Sequence, residues 1–270
     1  MNLDVIAGLT LVVVLMLVGL GLWRLLAGRT RGLGWGVMRL GVVLLVALTL
    51  VSLGAYRLMN ARSFQLLGRQ VAQVTTDEKV VALTFDDGPA DEYVAGVLAD
   101  LKRYQARGTF FVVGAAAQKN QSALRALVTA GQEVGNHSFT HPRLVLVSTA
   151  TVAREVESTD RVIRSAGYGG PIPFRPPYSK RLLSAPYYLW RHGRTTVMWN
   201  LEPDSRAAIA EDPQAMATYV ADTVRPGSIV LLHVWAGGNS ASRAALPLIL
   251  RALTEKGYRV VTVSELLGGT

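Results

Sequence analysis

The chain has 270 residues, half of them hydrophobic and none of them cysteine, which excludes disulfides and thiolate metal sites and allows one large domain or two modest ones. Its formal charge of +9 is unevenly spread: residues 1–79 carry 8 basic and 3 acidic side chains, residues 80–270 carry 20 and 16. The excess belongs mostly to the N-terminal end, so the remainder does not read as a nucleic-acid binder.

Residues 5–23, VIAGLTLVVVLMLVGLGLW, hold no charge and are long enough to cross a hydrocarbon core of roughly 30 Å. Residues 32–56 form a second apolar stretch, interrupted only by Arg39. A cleaved signal peptide fits poorly, because the start lacks a basic region, carries Asp4 and shows no small-x-small cleavage site. The expectation is two transmembrane helices, about 3–23 and 36–56, with the lipid bilayer as a partner; one helix plus a re-entrant segment is the alternative. Arg24, Arg29 and Arg31 lie in the connection and make it cytoplasmic by the positive-inside rule, which leaves both termini and the soluble part extracytoplasmic. Arg57, Arg62 and Arg69 argue weakly the other way, but long domains translocate largely regardless of such charges.

Residues 57–78 read as a partly helical linker, followed by a soluble domain over 79–270. There, short apolar runs alternate with amphipathic stretches. KVVALTF (79–85), GTFFVVG (108–114), QEVGNHS (132–138), TTVMWNL (195–201), GSIVLLH (227–233) and YRVVTV (258–263) read as strands, mostly apolar on both faces as in a buried parallel sheet. Helices are expected over 92–106, 115–130, 149–166, 213–225 and 243–256. GGPIPFRPPY (169–178) hides one more, irregular strand, so the fold class is α/β with about seven strands in a parallel sheet or barrel.

Chemistry in such folds gathers at the C-terminal ends of the strands. Asp86 and Asp87 end the first of these strands, His137 and His141 follow the third, and Arg175 and Tyr178 follow the irregular one. Glu202 and Asp204 come after TTVMWNL, and His233 ends GSIVLLH. Two imidazoles and one carboxylate make the set that leaves open positions on a catalytic zinc or similar divalent ion. One aspartate of the pair could bind such an ion while its neighbour handles protons, although an Asp-Gly turn alone would also account for the pair. His233 would then be a proton donor, and Arg175, stiffened by two following prolines, could hold a carboxylate. The free N–H of Tyr178 could stabilise an oxyanion. His192, in a basic helix end, has no assigned role.

Together, TFDDGP, HSFTH, RPPY and IVLLH match, in order and spacing, four motifs of the polysaccharide deacetylases of carbohydrate esterase family 4, the NodB-homology domain. The resemblance covers about residues 79–267. It implies an irregular, seven-stranded (β/α) barrel and metal-dependent removal of N-acetyl groups from amino sugars. It implies Asp86 as general base, Asp87, His137 and His141 as metal ligands, and Arg175 as the residue orienting the base. Tyr178 would give its N–H to the oxyanion, and His233 would be the general acid. The metal expected is Zn2+, with Co2+, Ni2+ or Mn2+ as alternatives.

One motif departs. Where the family shows an aspartate-rich segment ending Asp-Trp, this chain has MWNLEPDSR, with Arg206 in place of the tryptophan. Glu202 or Asp204 could support His233 or Arg175, Trp199 could line the acetyl pocket, and Trp235 is a candidate stacking platform for a sugar. A membrane tether with an outward-facing domain suggests a long, immobile substrate with N-acetylglucosamine-type units, such as peptidoglycan or an exported polysaccharide. The rivals are a carbohydrate-binding protein on an inactive scaffold and a hydrolase of another N-acyl or amide bond.

Overall fold

The structure, a computed structural model, describes residues 33–268. The chain divides into two compact units, Met1–Gln65 and Leu66–Thr270. In the first, helix α1 runs over Leu33–Asn60, and its portion Leu40–Asn60 has a mean hydropathy of 2.1. That portion would be about 31 Å long at 1.5 Å per residue, enough for a hydrocarbon core. Leu44, Leu48 and Val51 stand exposed along it, as on a helix that is apolar all round. Among the described residues it is the one helix long and apolar enough to cross a membrane. The two helices expected from sequence are therefore not both seen: the span near 36–56 corresponds to α1, and the span near 3–23 lies outside the described residues.

The second unit is α/β. In chain order it holds β1 (Gln70–Val71), β2 (Val80–Asp86), α2 (Asp91–Arg103), β3 (Thr109–Val112), α3 (Gly114–Lys119), α4 (Gln121–Thr129) and β4 (Glu133–Asn136). Then follow α5 (Thr149–Ser165), α6 (Ser184–Arg191), β5 (Thr196–Val197), α7 (Pro213–Thr223), β6 (Ile229–His233), α8 (Ser240–Glu255), β7 (Arg259–Val261) and α9 (Val263–Gly268). The principal sheet has the order β4–β3–β2–β6, all parallel. On the β3 side of β2, β7 pairs with the first half of the strand, Val80↔Arg259 to Ala82↔Val261, and β3 takes over from Thr84.

β2 is buried along its whole length, which explains why it reads as an unbroken apolar run. Leu83 and Phe85 are fully covered, each worth about 1.5–3 kcal/mol on burial. The covering side chains include Leu101 of α2, Leu124 of α4 and Leu246 and Ile249 of α8. Sequence expected 115–130 as one helix. The structure breaks it at Asn120, whose side-chain amide donates to the carbonyls of Ala116 (2.9 Å) and Pro89 (3.1 Å) and so pins the turn after Asp86 and Asp87.

The expected barrel does not close as a continuous ladder. Between β4 and β6 the ring is carried by single-residue bridges, Asn136↔Phe174, Phe174↔Thr196 and Leu201↔Val230. Pro171, Pro173, Pro176 and Pro177 have no N–H to give, so the stretch around Phe174 cannot extend its pairing in either direction. The run 195–201 is strand only at β5, and it pairs in parallel with β1, Gln70↔Thr196 and Val71↔Val197. β1 falls in the stretch read as a linker, and the second compact unit runs from Leu66.

Candidate active site

Asp86 is the last residue of β2, and the parallel register sets it level with His233 at the end of β6. Its Oδ1 accepts a hydrogen bond of 2.7 Å from Nη1 of Arg175, and both residues are buried, at 3 % and 0 % exposure. The same guanidinium donates to Thr84 Oγ1 (2.9 Å), Val197 O and Met198 O (both 3.1 Å) and lies over the Phe111 ring at 4.1 Å. Burial lowers the Arg175 pKa, and the charge and hydrogen bond of Asp86 offset only part of that fall. Asp86 Oδ2 is left to face the histidines.

His137 follows β4 directly. Its Nδ1 sits 2.8 Å from the carbonyl oxygen of Arg175, which can only accept, so Nδ1 carries the hydrogen and the Nε2 lone pair is free. That Nε2 is 3.7 Å from Asp86 Oδ2 and 3.5 Å from Asp87 Oδ1. Complete burial lowers the His137 pKa, against the pull of the two aspartates, which favours the neutral ligand form.

His141 reaches the cluster through a tight loop. Pro142 keeps it out of the right-handed helical region, and it adopts φ +59° with its N–H donated to Ser138 Oγ at 3.1 Å. Glu155 of α5 clamps the loop by accepting from Phe139 N–H, Thr140 N–H and the Thr140 hydroxyl, each at 2.8 Å. His141 Nε2 is buried, makes no hydrogen bond, and lies 3.2 Å from Asp87 Oδ1. Asp87 is itself held at φ +76°, a conformation whose cost the surrounding turn must meet. Burial raises its pKa, but interaction with His141 and the charges of His137 and His233 outweigh this and bring it down to about 2.

Asp87, His137 and His141 place one donor atom each within 4.8 Å of one another. A ring nitrogen buried without a hydrogen bond, beside a second whose lone pair is free and an ionised carboxylate, fits a divalent cation. The mixed nitrogen and oxygen donors are of the kind that divalent first-row metals such as zinc, cobalt, nickel or manganese take.

Opposite Asp86, His233 Nδ1 is 3.2 Å and its backbone N–H 2.6 Å from Asp204 Oδ2, which also receives the Ser242 hydroxyl at 3.3 Å. Burial alone would lower the His233 pKa; the hydrogen bond and charge of Asp204, with Asp86 and Asp87 behind them, raise it to about 9. Below that value the ring is protonated and can act as an acid. A cation on Asp87 removes part of this attraction, so the loaded protein loses the proton somewhat lower. Asp204→Asn removes the largest upward influence, while Asp86 and Asp87 still oppose burial, so the His233 pKa falls back toward its ordinary value. We expect the alkaline limb of the kcat/KM profile to move down by one to two pH units (about 1.4 kcal/mol each), read from a pH–rate series.

Of the two carboxylates left open by sequence, the structure thus gives Asp204 to His233. Glu202 instead accepts from Trp199 Nε1 (2.8 Å) and Ser205 Oγ (2.6 Å), and its charge reaches Arg175. Trp199 is buried, with the Arg175 guanidinium 5.2 Å from its ring. Tyr178 is half exposed at φ +54°, its ring 4.5 Å from that of His141. Ser179 and Lys180 donate their N–H groups to Pro176 and Pro177, whereas no acceptor among the described residues takes that of Tyr178.

Trp235 corrects an expectation. It is only 8 % exposed, packs on Phe110 at 5.8 Å, and lies so close over Gly88 that a Cβ there would come within 2.5 Å of the indole. It is a wall beneath the Asp87–Gly88 turn and offers no open face for a sugar. Glu155, Ser138 and Thr84 were missed by sequence reasoning. Only Ser138 had a local signal, as a neighbour of His137.

A sequence profile described as polysaccharide deacetylase matches residues 73–197. The chain is 33 % identical over 196 residues to the peptidoglycan-N-acetylglucosamine deacetylase of Bacillus cereus, covering 72 % of this chain and 91 % of that protein. The chain belongs to the polysaccharide deacetylase family. Another relative in that family, the chitooligosaccharide deacetylase of Sinorhizobium fredii, is 33 % identical over 216 residues, or 73 % of this chain and 96 % of that one. Among solved structures, a mutant of a CE4 family pseudoenzyme with restored enzymatic activity superposes with a TM-score of 0.67 at 30 % identity, covering 75 % of this chain and 72 % of that one.

Proposed function

We propose that this polysaccharide deacetylase-family chain is a membrane-anchored, metal-dependent hydrolase that removes N-acetyl groups from amino-sugar residues of a cell-wall or exported polysaccharide. The observation that carries the reading is the Arg175-held Asp86 beside the Asp87–His137–His141 donor set, with Asp204-supported His233 across from it. The named relatives act on peptidoglycan N-acetylglucosamine and on chitooligosaccharides, which supports an N-acetylglucosamine-type unit here. The span Leu40–Asn60 supports an anchor, and Arg24, Arg29 and Arg31 ahead of it support an outside position for the catalytic unit by the positive-inside rule.

Asp87, His137 and His141 would hold the divalent ion, whose contribution is Lewis acidity toward water and the acetyl carbonyl. Arg175 holds Asp86 by Oδ1 and leaves its Oδ2 to the reacting water, from which Asp86 takes the proton. The N–H of Tyr178 donates to the carbonyl oxygen as negative charge develops there; such a donor is typically worth about 3 kcal/mol in the transition state. His233, its Nδ1 engaged by Asp204, delivers a proton from Nε2 to the departing nitrogen. The C–N bond breaks, a C–O bond forms to the water oxygen, and acetate and a free sugar amine result.

The test is acetate release by the full chain in detergent or bilayer, from N-acetylglucosamine oligomers and from peptidoglycan fragments, after metal removal and after reloading. Restored release with zinc, cobalt, nickel or manganese supports the reading. No acetate under any loading, with retained glycan binding, would make it a binding protein on an inactive scaffold.

A further inference from the structure

We propose that the outward side of α6, with the segment Leu66–Leu67 that opens the second unit, is a bilayer-docking surface that seats this unit in the headgroup region of a membrane. This goes beyond the chemistry of the site and rests on the membrane-anchored reading above.

α6 is a short surface helix whose core side is filled by Ala185, Tyr188 and Leu189. The other side of such a helix is ordinarily polar. Here Leu183, Tyr187 and Trp190 occupy it, at 59 %, 44 % and 50 % exposure. Their spacing of i, i+4 and i+7 makes one stripe, and the Tyr187 N–H donated to Leu183 O at 3.0 Å brings Leu183 into the first turn. Among the described residues no other helix of this unit exposes a large apolar side chain to that degree. Leu66 and Leu67 are exposed as well. The chain just after them is bonded on both sides of α6: Arg69 O accepts from Thr196 N–H at 2.9 Å, and the Gln70 side chain accepts from Arg181.

Lipid is the occupant that fits this surface. Five residues separate Leu66 from Asn60, the last residue of α1, a tether that reaches at most about 20 Å. A tyrosine and a tryptophan beside leucine, with exposed Arg191 in the last turn, are side chains that settle at a membrane–water interface. Residues 66–76 and 161–201 contain no Asp or Glu, so neither segment repels an anionic headgroup. A sugar chain fits less well. The Tyr187 and Trp190 rings, 6.2 Å apart, are tilted by 55° and form no flat shelf for successive sugar rings.

The native chain has no cysteine, so Leu183→Cys gives one attachment point for a nitroxide label in the full chain. Leu48→Cys on α1 and Arg251→Cys on α8, both exposed, serve as references. The chain is placed in vesicles of equal parts phosphatidylcholine and phosphatidylglycerol. Oxygen concentrates in hydrocarbon and a polar nickel chelate stays in water. The ratio of oxygen to chelate collisions is therefore expected to be several-fold higher at 183 than at 251. Tyr187→Ser with Trp190→Ser in the labelled chain should return it toward the value at 251. An aqueous value at 183, or one unmoved by the double substitution, overturns the proposal. A lipid value at 48 with an aqueous value at 183 keeps the anchor and removes only the docking surface. An aqueous value at 48 ends the anchored reading, and the label at 183 still decides the surface by itself. Spin–spin broadening at 183 that disappears on dilution with lipid would mean that a second copy covers it. Loss of glycan binding in Trp190→Ser, with an aqueous label, would make it a sugar platform. Either result overturns the proposal.

Discussion

Asp86→Asn is expected to cut acetate release by about 10²–10⁴-fold, the usual contribution of a positioned general base. The amide is nearly isosteric and its oxygen can still accept from Arg175, but the second oxygen, the one facing His137, becomes an NH2 that cannot take a proton. The same change should show in stability. Arg175 is fully buried, and its remaining partners, Thr84, Val197 and Met198, are neutral acceptors. Removing the directly bonded counter-charge from a buried pair costs about 3–5 kcal/mol, and the retained hydrogen bond, with the more distant charge of Glu202, puts asparagine at the lower end. Urea unfolding measures that loss separately from turnover. Full activity in the variant would place the base elsewhere, and unchanged stability would mean that Glu202 alone compensates Arg175.

His137→Ala is expected to weaken metal binding by more than the 10–100-fold that follows loss of an outer partner, because it deletes a ligand atom. The ring is wedged between the carbonyl of Arg175 and the two aspartates, so its removal also frees Arg175 O and opens space against Asp86. Competition with a chromogenic chelator reads the affinity directly, with no need for turnover. An affinity equal to wild type would exclude His137 from the ligand set. His141→Ala offers an independent check through a loop that Glu155 and Ser138 hold without it.

The pattern of short apolar runs and amphipathic stretches is local, since each segment states its own period, and the α/β alternation was legible for that reason. The same holds for Asp86–Asp87 at a strand end and for the four-residue spacing of His137 and His141. The pairing of β1 with β5 was hidden because Gln70–Val71 is two residues long and has no period to read. Trp235 looked like a rim aromatic because its partner, Gly88, is far away in sequence and has no side chain to advertise the contact. The incomplete barrel was half visible: the prolines around Phe174 were on the page, but that they leave only single bridges depends on which strands flank them.

What the sequence by itself determined is the kit of chemical groups and the strand ends that carry them, because residue type and hydrophobic period need only near neighbours. Only the tertiary structure decided how they are held: the Arg175 guanidinium shared among Asp86, Thr84 and two backbone carbonyls, Asp204 and not Glu202 set against His233, and His137 turned by a distant carbonyl so that its free nitrogen meets Asp87. Those matches depend on distances of a few ångströms between segments remote in the chain, and on burial that makes an unpaired charge too costly to keep.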